Sequence, residues 1–246
     1  MISTETTGSA IQHPPPTTTS GSYSELKRLI KDRGLLDRHP LRALLQLIII
    51  DALLVLSVVL LLSVHVFWLQ CLNALFLAFV CSQIGFIGHD AGHRQSSNST
   101  RLNDLIGFIH GNVLIGMSFS WWMDKHNRHH AHPNEVDCDP DIDLPMLSFT
   151  TEDATAKRGV LRFIAAHQAW FFFPLLALVA LHLQMNSIRF LLQGKAHHAR
   201  TEIALLLLHY AAYFALLLIA LPPWQALVFL LIHKAATGLY LGSVFA

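Results

Sequence analysis

Two groups of histidines are spaced for metal chemistry. His89 and His93 flank Asp-Ala-Gly in "GHDAGHRQ", while His126, His129 and His130 fall in "WWMDKHNRHHAH". On a helix, residues i, i+3 and i+4 share a face about 5 to 6 Å apart, so the imidazoles of each group reach one metal or an adjacent pair. Three imidazoles on one face repel one another when protonated, and a bound cation keeps them neutral. The first spacing alone also suits two interfacial histidines, and His132, six residues beyond His126, points elsewhere. Imidazole ligates iron, zinc, copper and nickel alike. Five ligands exceed one tetrahedral zinc, and neither group carries the glutamate of the HExxH zinc-protease pattern.

The elements that must position these side chains are membrane helices. Of 246 residues, 53% are hydrophobic and 13% charged, and the mean hydropathy is +0.45. That places the chain in the membrane class. A net charge of +1 gives no reason to expect nucleic acid as a partner. Cys71, Cys81 and Cys138 show no paired spacing and read as small apolar residues. Residues 1–24, with "PPPTTTSGS", form an expected disordered tail without signal-peptide character, and residues 25–246 form the membrane domain. Its first stretch, "SELKRLIKDRGLLDRHPLR", suits a surface helix in the headgroup zone.

Residues 44–88 would measure about 67 Å as one helix, roughly twice the hydrocarbon thickness. They are read as two spans, 44–64 and 68–88, with an interfacial turn marked by His65, Gln70 and Asn73 and by Trp68. Residues 203–221 and 224–246 form a second hairpin joined at Pro222 and Pro223. Residues 105–120 are apolar but too short to cross, which suits an in-plane or re-entrant piece. Lys and Arg are concentrated before residue 43, in 94–162 and in 184–202, so all three stretches are assigned to the cytoplasmic side. Residues 162–183, with Pro174 at their centre, then begin and end on that side and dip into the plane. The expected fold is an all-α integral membrane protein, with four transmembrane helices in two hairpins and cytoplasmic helices carrying the histidines.

Other polar residues have a structural reading. Asp137, Asp139, Asp141 and Asp143 alternate like a calcium loop, but Pro140 interrupts and Ile142 and Ser148 replace the glycine and glutamate such a loop needs. These carboxylates, and Asp90, suit hydrogen bonds to ligand imidazoles or a solvated loop. His110 and His233 read as helix contacts, and Trp121, Trp122 and Phe171 to Phe173 as interface anchors and packing. Asp51 and Lys234 lie within spans and require polar partners, possible ones being each other.

Two spans, HDAGH, a stretch of some thirty residues, HxxHH, "NEVDCDPDI", then a hairpin ending "GLYLGSVFA", in that order, resemble the membrane fatty-acid desaturases, most closely the HDAGH branch of acyl-lipid, acyl-CoA and front-end enzymes. By that resemblance His89, His93, His126, His129 and His130 are metal ligands. The cofactor it implies is a pair of irons, with O2 as co-substrate and a lipid- or CoA-linked fatty-acyl chain as substrate. Removing hydrogen from unactivated carbon needs a redox metal, which zinc is not. No haem or iron–sulfur motif is evident, so the electron donor is external, a ferredoxin or cytochrome b5. The family's third box, [H/Q]xxHH, has no counterpart before Ala246; "QGKAHHAR", with Gln193, His197 and His198, has the wrong spacing and place. The resemblance therefore implies a site incomplete in this chain, and alternatives are a non-catalytic remnant or a related membrane hydroxylase.

Overall fold

The structure, a computed structural model, describes residues 19–37 and 39–245. Most of the expected tail, residues 1–18, lies outside the described residues. Helix α1, Thr19–Asp32, begins six residues before the boundary expected at 25. A helix nucleated on the segment from Tyr23 extends backwards at little further cost. The residues before His39 are a unit of their own.

From His39 onward the described chain is helical: α2 Pro40–Ser63, α3 Phe67–Gly92, α4 Thr100–Phe108, a π-helical segment Ile109–Leu114, α5 Phe119–Ala131, α6 Thr151–Ala156, α7 Gly159–Ala166, α8 Gln168–Leu176, α9 Val179–Leu192, α10 Ala199–Ala220 and α11 Pro223–Phe245. Four of these, α2, α3, α10 and α11, are long and apolar enough to cross a membrane. Their bounds match the spans expected from hydropathy to within a few residues, apart from longer ends on α2, α3 and α10. Helix α3 runs four residues past the expected end, carrying His89 on its last turn and ending at His93.

The turn between α2 and α3 is Val64–Val66, and Gln70 and Asn73 lie just beyond it in the first two turns of α3, 2% and 5% exposed. They are buried because they bond the carbonyls at the end of α2, where the helix leaves acceptor capacity unfilled. Gln70 Nε2 donates to the carbonyls of Leu60, Leu61 and Val64 at 3.0, 3.2 and 2.6 Å. Asn73 Nδ2 donates to Ser57 O at 3.1 Å, and Ser57 Oγ donates to Asn73 Oδ1 at 2.9 Å. Leu61, Leu77, Leu217, Leu221 and Phe229 cluster together, which puts the α2–α3 and α10–α11 turns at one end of the bundle.

Helix α11 lies mainly against α3 and α9 and touches α10 little, so the second pair is not a closely packed hairpin. Gly238 explains part of this: a Cβ there would sit 2.6 Å from the carbonyl oxygens of Leu176 and Ala177, so glycine lets α11 close on the end of α8. On the other face, Gln83 Nε2 of α3 donates to Tyr240 Oη at 3.0 Å.

Residues 159–176 form a pair of helices bent by 102°. The bend falls at His167, whose Nδ1 bonds Phe163 O at 2.9 Å, and Pro174 is inside α8. Gln168 holds the bend to the preceding loop by two bonds of 2.9 Å to the backbone of Ser148.

Replacing Gln70 by leucine removes the donor shared by three carbonyls without changing the apolar surroundings. The variant is expected to lose roughly 1 to 3 kcal/mol of stability, read as a lower thermal midpoint in detergent. An unchanged midpoint would show that these bonds are dispensable.

Candidate metal centre

Helix α5 carries the second histidine group because its start is tightly specified. Ser118 caps it, its Oγ accepting from Trp121 N at 3.0 Å. Asn112 Oδ1, from the π-helical segment, accepts from Phe119 N at 3.1 Å. Behind both sits Glu202, fully buried in the first turn of α10. One of its oxygens accepts from Asn112 Nδ2 at 2.9 Å, Ser118 Oγ at 2.7 Å and Ser120 N at 3.3 Å. This carboxylate fixes α5 to α10 and the π-helical segment.

The far end of α3 meets α5 at Gly92. A Cβ on Gly92 would collide with the Trp122 ring and lie 2.9 Å from Met123 Sδ. Trp122 stacks on His126, with ring centroids 4.5 Å apart and planes 21° from parallel. Trp121 is 6% exposed. Both tryptophans therefore serve packing, the second half of the reading given them from the sequence.

The two histidine groups converge here. His126 Nε2 lies 2.8 Å from His93 Nε2 and 3.0 Å from His130 Nε2. His89, His93 and His126 each offer a nitrogen within 4.8 Å of the others. A metal bound at about 2.1 Å sets neighbouring nitrogens roughly 3.0 to 3.4 Å apart, so the His93–His126 and His126–His130 separations are near those of ligand pairs, and His89, His93 and His126 form the three-donor group. Burial, and then the neighbouring imidazoles led by His89, push the His126 imidazole down to about 3. Burial also lowers His93, reinforced by His89 and His130. Neutral imidazoles keep the lone pairs a metal needs.

His129 is turned differently. Its Nδ1 faces the buried Asp139 carboxylate at 2.9 and 3.0 Å and Asp141 at 3.1 Å. Asp139 also accepts from the backbone nitrogens of Asn134 and Asp141 at 2.7 and 2.8 Å. A proton held on Nδ1 by a carboxylate leaves the lone pair on Nε2. Of the four alternating aspartates, Asp139 and Asp141 thus touch an imidazole, and Asp90 lies 3.4 Å from His89 Nδ1. His197 and His198 pack on each other, and His198 on Phe108, and neither belongs to a three-donor group among the described residues.

The intramembrane polar residues pair otherwise than with each other. Asp51 faces His110 Nε2 at 3.5 Å, while His110 Nδ1 bonds Ile106 O at 2.8 Å. His233 Nδ1 bonds Tyr213 Oη at 2.7 Å, and Lys234 Nζ lies 5.4 Å over the Tyr213 ring. Lys234, Cys81, Tyr213 and His209 line an apolar cavity of about 210 Å³ together with leucines of α2, α3 and α10 and with Val113, Leu114, Ile115 and Met117. Glu202, Asn112 and Ser118 carry no spacing signal in the sequence, and only an unpaired acid beside an apolar run hints at the first.

Residues 31–246 match the family model described as fatty acid desaturase. The chain is 30% identical over 186 residues to a Delta(8)-fatty-acid desaturase of Helianthus annuus, covering 70% of this chain and 41% of that protein. It is 31% identical over 176 residues to an Acyl-lipid (9-3)-desaturase of Borago officinalis, covering 66% and 39%. With the Delta(6)-fatty-acid desaturase fat-3 of Caenorhabditis elegans it shares 29% over 242 residues, 91% and 52%. The chain thus spans about half the length of these relatives or less. No solved structure matches it.

Because the folded His126 takes up a proton only near pH 3, the unfolded chain binds more protons between that value and the ordinary histidine range near 6.5. Stability of the metal-free protein is therefore expected to fall as pH drops below about 6.5. A His126→Gln variant should show a shallower fall of the thermal midpoint between pH 7 and pH 5; equal slopes would contradict the assignment.

Proposed function

Since the chain belongs to the fatty acid desaturase family, we propose that it forms the membrane and two-box part of an oxidoreductase that uses O2 to place a double bond in a fatty-acyl chain. The acyl chain is carried on a membrane lipid or on coenzyme A. The observation that carries this is the convergence of imidazoles from α3 and α5, 33 residues apart in sequence, at 2.8 Å.

His89, His93, His126 and His130 would hold iron, and His129 would join them through Nε2 while Asp139 keeps its proton on Nδ1. Bound iron, with O2, supplies the one-electron chemistry that removes hydrogen from an unactivated methylene pair, which no side chain of the chain can do. The protein's own part is to position and to exclude. The Glu202 bonds hold α5 in register, and Trp122 covers one face of His126. The apolar lining of the cavity offers an acyl chain a matching surface. The lysines and arginines beside the histidines support a cytoplasmic centre by the positive-inside rule, and an external ferredoxin or cytochrome b5 would reach it from that side.

Expression in a host whose lipids lack the product bond tests this. The fatty-acid profile is expected to gain a new double bond, with iron bound to the purified protein. A His126→Ala variant should lose the product roughly a hundredfold or more, together with iron. Product formed equally well by the variant, or by a protein without iron, would overturn the proposal.

A further inference from the structure

Immediately after α5 the chain places three different donors on one exposed loop. His132 Nδ1 lies 2.8 Å from Glu135 Oε2, and Cys138 Sγ lies 3.6 Å from Glu135 Oε1. One atom from each of the three residues falls within 4.8 Å of the others, and none belongs to the histidine centre. We propose that His132, Glu135 and Cys138 form a second metal site, which takes zinc or another borderline-soft divalent cation.

The backbone brings the donors together. Each follows the last by three residues, and a turn closes at each step: Glu135 N to His132 O at 3.1 Å, Cys138 N to Glu135 O at 3.2 Å. His132 is itself tied to the end of α5, its N–H bonding Arg128 O at 3.1 Å and His129 O at 3.2 Å. Asn134 and Asp137 adopt positive φ, 60° and 66°, and Asn134 N bonds the buried Asp139 carboxylate. The loop is thus shaped by backbone bonds that need no help from the three side chains, whose exposed ends are free to turn toward a cation.

Donor chemistry selects the ion. A thiolate, an imidazole and a carboxylate suit zinc, and oxygen-seeking calcium or magnesium would not use the sulfur. Zinc bound at about 2.0 to 2.3 Å sets its ligands roughly 3.3 to 3.7 Å apart; the Cys138–Glu135 separation already matches, the one donor atom of each residue lies within 4.8 Å of the others, and His132 has to back away from Glu135 by a few tenths of an ångström. Thiolate and carboxylate together balance the charge of a dication, and exposure leaves a fourth position to water. As a surface ion pair alone, His132 with Glu135 contributes little, and it does not account for the thiol beside it. The same loop carries Asp139, so a cation here would stiffen the segment that holds His129.

Cobalt reports this site separately from the histidine centre, because only a thiolate ligand gives a sulfur-to-cobalt charge-transfer band. Titrating the purified 246-residue chain with Co2+ alone should produce that band and protect Cys138 from alkylation. Cys138→Ser should abolish the band, and His132→Ala or Glu135→Ala should weaken cobalt binding roughly tenfold or more. Cys81→Ser and His126→Ala should leave it. Absence of the band in the wild type, its survival in Cys138→Ser, or undiminished affinity in both His132→Ala and Glu135→Ala would overturn the proposal. Loss of iron chemistry in any variant leaves this readout unaffected.

Discussion

The contact between His93 and His126 is the constraint on which the rest of the structure depends. Two imidazole nitrogens at 2.8 Å oppose their lone pairs unless a proton or a cation lies between them. Burial keeps His126 neutral, so the pair is held either by one ring's N–H or by a cation that both lone pairs ligate. Bringing the rings this close requires the last turn of a membrane-length helix to meet a separate helix end on. Gly92 makes the approach possible, because any larger residue would strike Trp122.

The remainder of the fold can be read as support for that meeting. In lipid the hydrophobic effect does not press one helix against another, and polar bonds and close packing take over. Gln70, Asn73 and Ser57 join α2 to α3. Gln83 joins α3 to α11 through Tyr240, and Gly238 lets α11 settle against the end of α8. Glu202 then links α10 to the start of α5. A chain of polar contacts therefore runs from the membrane helices to the second histidine group, while Asp139 fixes the loop that follows it.

Much of this was legible from local patterns. Long apolar runs located the four membrane-length helices, since a span needs about 20 apolar residues whatever its partners. The i, i+3 and i+4 spacing of His126, His129 and His130 named the residues, but not their orientations. His129 faces away toward Asp139 because a buried carboxylate ten residues later competes for its proton, which spacing cannot show. Gln70 and Asn73 looked like an interface because polar residues in an apolar run usually are; their bonds go to the backbone at the end of another helix. Glu202 bonds residues 82 to 90 positions away, and Asp51 finds His110 instead of Lys234. Such pairings follow from tertiary packing and leave no periodic trace in the chain.

That the two histidine groups form one centre is tested most directly by a double-mutant cycle on metal affinity. Cobalt affinity of the histidine centre is measured in a Cys138→Ser background for His93→Ala, His126→Ala and the double variant. Ligands of one metal are coupled, so the double variant should bind little more weakly than the weaker single variant. Free-energy losses that simply add would place His93 and His126 on independent sites and contradict the account.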